Sequence, residues 1–356
     1  MKKNNKKREI LPELGKIHPE FFNRFIFPKL GKADQSVIVK PQHGVDFGVV
    51  HLGGQVMVLS TDPFFIAKEL GMEKAAWFAL HILASDVAVS GIKPRYLSVD
   101  LNLPPEISEN ELIRLWNTVH EECKKLGITV VTGHTARYAG CSYPMVGGAT
   151  VFGIGSPDEL IIPHPRPGDA IIISKGPAIE TTGLMSAYFP EFLEARYGRG
   201  FLKKAQRIFY KMSTVKDALI AASVKGVTAM HDATECGILG GLFEMATHSK
   251  VGMNIYLDDI VMPEEVRLLC EYFDIDPFRA ISEGTLLATA KERYADKVVS
   301  VLNEAGIPAS IAGKVIEKSK GINIFQKGLR SKLEHPKVDP FWIKFEEYLK
   351  KRKHAE

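Results

Sequence analysis

EKAAWFALHILASDVAVSGIKPRYLSVDLNL, residues 73–103, is the stretch from which the architecture follows. Residues 73–91 are almost wholly apolar, which predicts a helix buried on every side and ending at Gly91. One carboxylate, Asp86, stands inside it. A charge in an apolar helix is costly unless it is paired, hydrogen-bonded or bound to a metal. Arg95–Leu103 then reads as a strand that Pro104-Pro105 stops. Ser108, with Glu111 three residues on, has the spacing of a capping box and predicts a helix through Leu126. Ile128–Thr132 reads as a short buried strand.

Working outward, IHPEFFNRFIFPKL (17–30) has apolar residues at helical spacing and predicts a lead-in helix. Ser36–Val39, Val56–Ser60 and Val146–Gly155 read as strands. The stretch GSPDELIIPHPRPGD (155–169) holds four prolines and two glycines and marks a boundary. Beyond it, strands at Ala170–Ser174, Val227–Met230, Met253–Tyr256 and Thr285–Ala290 alternate with helices, ending hairpin-like through Ile324. Each half therefore reads as an α/β or α+β layer domain. The expected division is a tail and lead-in helix over 1–35, a first domain over 36–155, a second over 156–330 and a helical tail over 331–356. The end of the chain, from Lys318, reads as helical and lysine-rich, without cysteine.

The chain has 356 residues, enough for two cores, and ordinary proportions of apolar (45%) and charged (25%) residues. Net charge is +4, with no basic stripe interleaved with aromatics, so a nucleic-acid partner is not expected. No apolar run reaches the roughly 20 residues of a membrane span. MKKNNKKRE is basic but leads into no apolar signal core, and it reads as a solvated tail. The four cysteines, Cys123, Cys141, Cys236 and Cys270, are widely spaced and suggest neither zinc nor disulfides. A cytoplasmic home is expected.

Three aspartates occupy suggestive places. Asp46 lies in HGVDFGVV between Gly44 and Gly48, Asp62 follows an apolar strand in VLSTDPFF, and Asp86 lies in LASDVAVSG. Mg²⁺ carrying nucleotide phosphates is a natural partner for such carboxylates. Turn residues and helix caps would also account for Asp46 and Asp62, and a buried hydrogen bond for Asp86. VVTGHTARYAG (130–140) sets Gly133, His134 and Thr135 at a strand end, as a ligand, a proton carrier or a locally bonded histidine. AMHDATECGILGG (229–241) puts His231, Asp232, Thr234 and Glu235 before a glycine-opened helix that offers N–H groups to an anion. KGPAIETTGL (175–184) and ISEGTLL (281–287) add Glu180 and Glu283 at turns. Neither a GxxxxGK[ST] loop nor a GxGxxG fingerprint is present.

In this order, STDPFF, SDVAVSGIKPRYLS, TGHT, MHDATECGILGG and ISEGTLL resemble the superfamily of aminoimidazole ribonucleotide synthase, thiamine-monophosphate kinase, selenophosphate synthetase and the hydrogenase maturation enzyme, the last being nearest. The likeness spans roughly residues 11–325. It implies a two-domain PurM-like fold, with an N-terminal domain that forms a β-barrel with a second copy and a C-terminal α/β domain. It implies ATP and Mg²⁺ as cofactors and phosphoryl transfer to an oxygen of an acceptor that the sequence does not identify. Carried over by position, Asp46, Asp62, Asp86 and Asp232 would bind metal. Gly44, Thr61, Ser85, Gly133 and Thr135 would join Asp46 and Asp62 around the nucleotide, and Asp86, His134 and Asp232 would be catalytic. Two departures stand out. His134 replaces the acid usual in the TGHT turn, which raises the alternative of a nucleotide-binding module without turnover. The terminal cysteine of the hydrogenase maturation enzyme has no counterpart in FWIKFEEYLKKRKHAE, so cyanide-forming dehydration is the other alternative.

Overall fold

The computed structural model describes residues 17, 19–336 and 338–355. The basic stretch MKKNNKKRE lies outside the described residues. The predicted lead-in helix is instead one short turn, α1 (Pro19–Phe21), followed by a π turn over Phe22–Ile26 and a 3₁₀ turn over Phe27–Lys29. Pro28 cannot donate to a helical ladder, and Phe25, Phe27 and Leu30 stay exposed, so no packed face fixes a regular helix.

The first domain is a six-stranded sheet with two helices. Its elements are β1 (Val37–Val39), β2 (Gly48–Leu52), β3 (Gln55–Ile66), α2 (Met72–Ala88), β4 (Tyr96–Leu103), α3 (Glu109–Leu126), β5 (Thr129–Arg137) and β6 (Met145–Gly155). The spatial order is β1-β2-β3-β6-β4-β5. Only β4 and β5 run parallel, and α3 is the crossover between them. The capping box at Ser108 and Glu111 is formed as its spacing predicts. β5 is not the buried strand expected: it is the sheet's last strand, and most of it, including Val131, is exposed. The sheet is open in the single chain. Gly133 and Gly147 flank β4 so closely that a Cβ would lie 2.5 Å from Val99 O or 2.1 Å from Asp100 O.

The second domain contains β7 (Asp169–Ser174), α4 (Ile179–Tyr188), α5 (Pro190–Ile208), α6 (Val215–Ala222), β8 (Val227–Asp232), α7 (Gly237–Ser249), β9 (Gly252–Tyr256) and α8 (Glu264–Phe273). It continues through β10 (Leu286–Lys291), α9 (Glu292–Glu304), β11 (Ala309–Ile316), β12 (Ile322–Gln326), β13 (Leu329–Lys332) and α10 (Pro340–Ala355). The sheet order is β13-β12-β9-β11-β7-β10-β8. The helical end expected from Lys318 is corrected here. β12 finds a pairing partner in β9 and turns through Lys327-Gly328 into β13, so the helix begins only at Pro340. Among the described residues no helix is long and apolar enough to cross a membrane.

Helix α2 joins the two domains. Leu80, Leu83 and Val87 are fully buried in a core that also contains Val215, Ala218, Met230 and Leu286 from the second domain. Burying each such side chain contributes roughly 1.5–3 kcal/mol. Polar contacts fix the register of this packing. Ser85 Oγ donates to His81 O (2.8 Å) and accepts the Thr214 N–H (2.9 Å). His81 Nε2 lies 3.2 Å from Glu122 Oε2, and its Nδ1 lies 2.9 Å from Ser213 Oγ. A carboxylate only accepts, so Nε2 carries the proton and Nδ1 accepts the Ser213 hydroxyl. On the other side of the seam the Asp46 loop leans on α7. A Cβ at Gly44, whose φ is +77°, would sit 3.0 Å from Glu244 O.

Two expectations follow. Burial holds His81 below its ordinary value near 6.5 despite the opposing Glu122 bond. The unfolded chain therefore takes up that proton first. The stability due to neutral His81 is complete above about pH 6.5 and is lost as pH falls toward the folded value. The urea midpoint of the protein should drop between about pH 7.5 and about pH 5.5 by more than that of His81→Gln, and equal drops would refute the assignment. Gly44→Ala should cost about 1–3 kcal/mol, because it forces a side chain into a left-handed conformation against α7. A thermal melt unchanged from the parent would contradict that placement.

Candidate active site

Strand parity delivers two of the aspartates' surroundings. On β3 the even-numbered Val56, Val58, Ser60, Phe64 and Ile66 are buried, so Asp62 shares the inner face that meets α2. Ser60 Oγ donates to Asp86 Oδ2 at 2.8 Å, tying the strand to the helix beside Asp62. Asp46 arrives from the loop before β2, and Asp232 from the last residue of β8. His231, the residue before Asp232, is 3% exposed and places Nδ1 2.5 Å from Asp46 Oδ2. One ligand atom each from Asp46, His231 and Asp232 lie within 4.8 Å of one another. This contact crosses between the domains.

The electrostatics bind the four aspartates into one group. Burial pushes the Asp86 carboxyl well above the ordinary carboxylate range, and repulsion from Asp232, Asp62 and Asp46 adds to it. The Ser60 hydroxyl opposes that rise. The acidic seam continues beyond them. Glu283 is raised by burial, then by Asp232, Glu180, Asp86 and Asp62. Glu180 is raised to about 8 by burial, against the Glu283 N–H that it accepts at 3.1 Å and with repulsion from Asp339, Glu235 and Asp232. For His231 burial acts downward, but Asp46 and Glu244 outweigh it and the imidazole titrates well above its ordinary value.

This donor set fits a divalent cation. Carboxylates that repel one another in a buried seam are stabilised by a dication, and hard oxygen donors suit Mg²⁺. Asp46 and Asp232, which bring ligand atoms within 4.8 Å of one another and of His231, are the candidates to hold it, with Asp62 and Asp86 as their electrostatic neighbours.

The other sequence-predicted residues lie as follows. Gly44 shapes the Asp46 loop. Thr61 is exposed on the opposite face of β3 from Asp62, and its hydroxyl meets that of Thr150 at 2.8 Å. Ser85 is fully buried, with its hydroxyl engaged by His81 and Thr214 in the domain seam. Gly133, His134 and Thr135 form an exposed run on β5, where His134 Nε2 bonds to Tyr138 Oη (2.8 Å) rather than to an aspartate. Of the N–H groups expected to await an anion at the start of α7, that of the N-cap residue Cys236 already has one. The Cys236 N–H donates to Asp339 Oδ2 at 2.6 Å, and the Phe341 N–H donates to Asp339 Oδ1 at 2.9 Å. Asp339 is raised to about 6, chiefly by burial. Asp339 and Glu244 were not legible as site residues, since only the chain's return over α7 brings Asp339 there. Asp339-Pro340 at a helix start was the available signal.

Two family profiles match in sequence order. The N-terminal domain of AIR synthase related protein matches residues 44–157, and its C-terminal domain matches residues 166–324. The proline-rich connector falls between them. A putative hydrogenase expression/formation protein of Methanocaldococcus jannaschii is 25% identical over 83% of this chain and 86% of its own length. The carbamoyl dehydratase HypE of Rhizobium leguminosarum bv. viciae is 27% identical over 77% of each. A crystal structure of hydrogenase maturation protein HypE in complex with ATP superposes with a TM-score of 0.63 at 20% identity, covering 90% of this chain and 93% of that one. The paired profiles, in order and on the two domains seen in the fold, make this chain a member of the AIR synthase related protein family.

Proposed function

We propose that this chain is an ATP- and Mg²⁺-dependent enzyme that transfers a phosphoryl group from ATP to an oxygen of an acceptor. The observation that carries the reading is that Asp46 and Asp232 bring ligand atoms within 4.8 Å of one another across the domain seam, with Asp86 tied to β3 as their electrostatic neighbour. Phosphoryl transfer needs positioned charge rather than a covalent nucleophile, and this group is built to position charge. Mg²⁺ bound there would neutralise phosphate oxygens. The chain's own part is to hold the four carboxylates in place: Ser60 orients Asp86, the Gly44 turn seats Asp46, and α2 excludes water from one side. Burial and the neighbouring carboxylates raise Glu180 and Glu283, so either can hold a proton beside Asp232. The related HypE structure with ATP supports the nucleotide assignment.

Phosphorus NMR of the protein with ATP and Mg²⁺ tests the reading. ADP and phosphate should accumulate. Asp86→Asn should slow their release roughly a hundredfold or more, the scale of losing several kcal/mol of metal-borne charge stabilisation. ATP signals indifferent to the protein would sink the proposal, and signals that broaden without turnover would favour the binding-module alternative. Dehydration of a carbamoyl group, the activity in the name of the Rhizobium relative, is the narrower version. It predicts a carbamoyl or cyano adduct on a cysteine by mass spectrometry, and no adduct with a carbamoyl donor present would remove it.

A homodimer belongs to the same proposal. The face of the first sheet turned away from α2 carries exposed Phe65 and Val146, with Val131 on the edge strand, and an open sheet with such a face closes well against a copy of itself. Sedimentation should give a dimer, and Val146→Glu should shift it toward monomer. A monomer at all concentrations would disprove it.

A further inference from the structure

We infer that His231 is itself a metal ligand, its Nδ1 joining Asp46 and Asp232 in a mixed nitrogen–oxygen site that prefers a first-row transition dication to Mg²⁺. This rests on the reading of the aspartate group as a metal site and makes that site's selectivity specific. Three observations carry it. The ligand atoms of Asp46, His231 and Asp232 fall within 4.8 Å of one another, so a small inward adjustment brings them inside the roughly 4.2 Å that two bonds of about 2.1 Å to one ion can span. His231 is 3% exposed, and its Nδ1 is directed at Asp46 Oδ2, 2.5 Å away. The other ring nitrogen, Nε2, forms no hydrogen bond and lies 3.6 Å from Glu244 Oε2 on α7. A metal-bound imidazole characteristically turns its second N–H to a carboxylate, which fixes the ring and raises its basicity. Glu244 Oε2 faces that nitrogen at 3.6 Å, a short movement from such a bond.

The chemistry follows from donor type. Mg²⁺ takes oxygen ligands and gains little from imidazole, whereas Co²⁺ and other later dications bind it strongly. On binding, the ion would displace the proton that Nδ1 shares with Asp46 Oδ2, and the two atoms would have to move apart from their 2.5 Å contact to admit it. One proton leaves to solvent, and no bond to carbon is made or broken. His231 is thus a ligand in the loaded protein and a counter-charge to Asp46 without the ion.

Mn²⁺ serves as the spin probe, added to the full-length protein without nucleotide so that adenine nitrogen cannot contribute. Electron spin-echo modulation should show a directly coordinated imidazole nitrogen. His231→Gln should abolish that modulation and weaken Mn²⁺ roughly 10–100-fold, and Glu244→Gln should keep the nitrogen signal while weakening binding roughly tenfold. Calorimetry should rank Co²⁺ above Mn²⁺ above Mg²⁺, and the Co²⁺ to Mg²⁺ ratio should collapse in His231→Gln. Bound Mn²⁺ without nitrogen modulation, or modulation that persists in His231→Gln, overturns the inference and leaves the metal site standing. If neither Mn²⁺ nor Mg²⁺ binds, with or without ATP, the inference falls together with the metal-dependent function. The parent spectrum decides the matter even if a variant fails to fold.

Discussion

Like charges confined in a buried seam are the constraint on which the rest of this structure depends. Asp86 sits in the buried C-terminal half of a largely apolar helix, and three further aspartates approach it from β3, from a loop and from the other domain. Such a group is unfavourable by itself, because burial and repulsion both act against ionisation. It persists because the surrounding packing leaves these side chains no other place to go. Leu80, Leu83 and Val87 fix α2 between two domains, and the depth at which they fix it determines the depth of Asp86.

The seam is held by a few directional contacts rather than by many. Ser85 and His81, one helical turn apart on α2, grip the Ser213-Thr214 turn of the second domain. The Asp46 loop approaches α7 as closely as a glycine permits and joins His231. At the other end, Asp339 brings the C-terminal segment onto the start of α7, and Phe341 anchors it in the core around α4, α5 and α8. The acidic seam therefore has two ends. One holds the four aspartates and His231, and the other holds Glu180, Glu283 and Asp339.

Much of this was legible residue by residue. The apolar run ending at Gly91 could only be a buried helix, and the Ser108–Glu111 spacing fixed where α3 begins. The apolar strand before Asp62 was legible, but it was expected to end at Ser60, whereas pairing with β6 carries β3 through Asp62 to Ile66. Where the reading failed, the missing information was the neighbour. Ile128–Thr132 has the composition of a buried strand, but β5 has a partner on only one side. The segment after Lys318 is rich in lysine, which suits a helix, yet β9 offered an unpaired edge and the chain took it. Residues 17–30 have helical spacing, but no side chain described there is buried, and beyond the segment Phe22 meets the ring of His43 edge to face.

The sequence by itself determined the two-domain α/β organisation, the carboxylates at strand ends and in α2, and the motif order by which the family is known. These are local properties, set by periodicity, capping and turn chemistry. Only the tertiary structure decided which carboxylates share a field, that His231 faces Asp46, that Ser85 serves the domain seam, and that Asp339 occupies the α7 N-terminus. Each of those pairings joins residues about 100 or more positions apart, except the coupling of Asp46, Asp62 and Asp86 within the first domain. Contacts at that separation depend on how the two domains and the C-terminal segment pack, and no local pattern encodes their register.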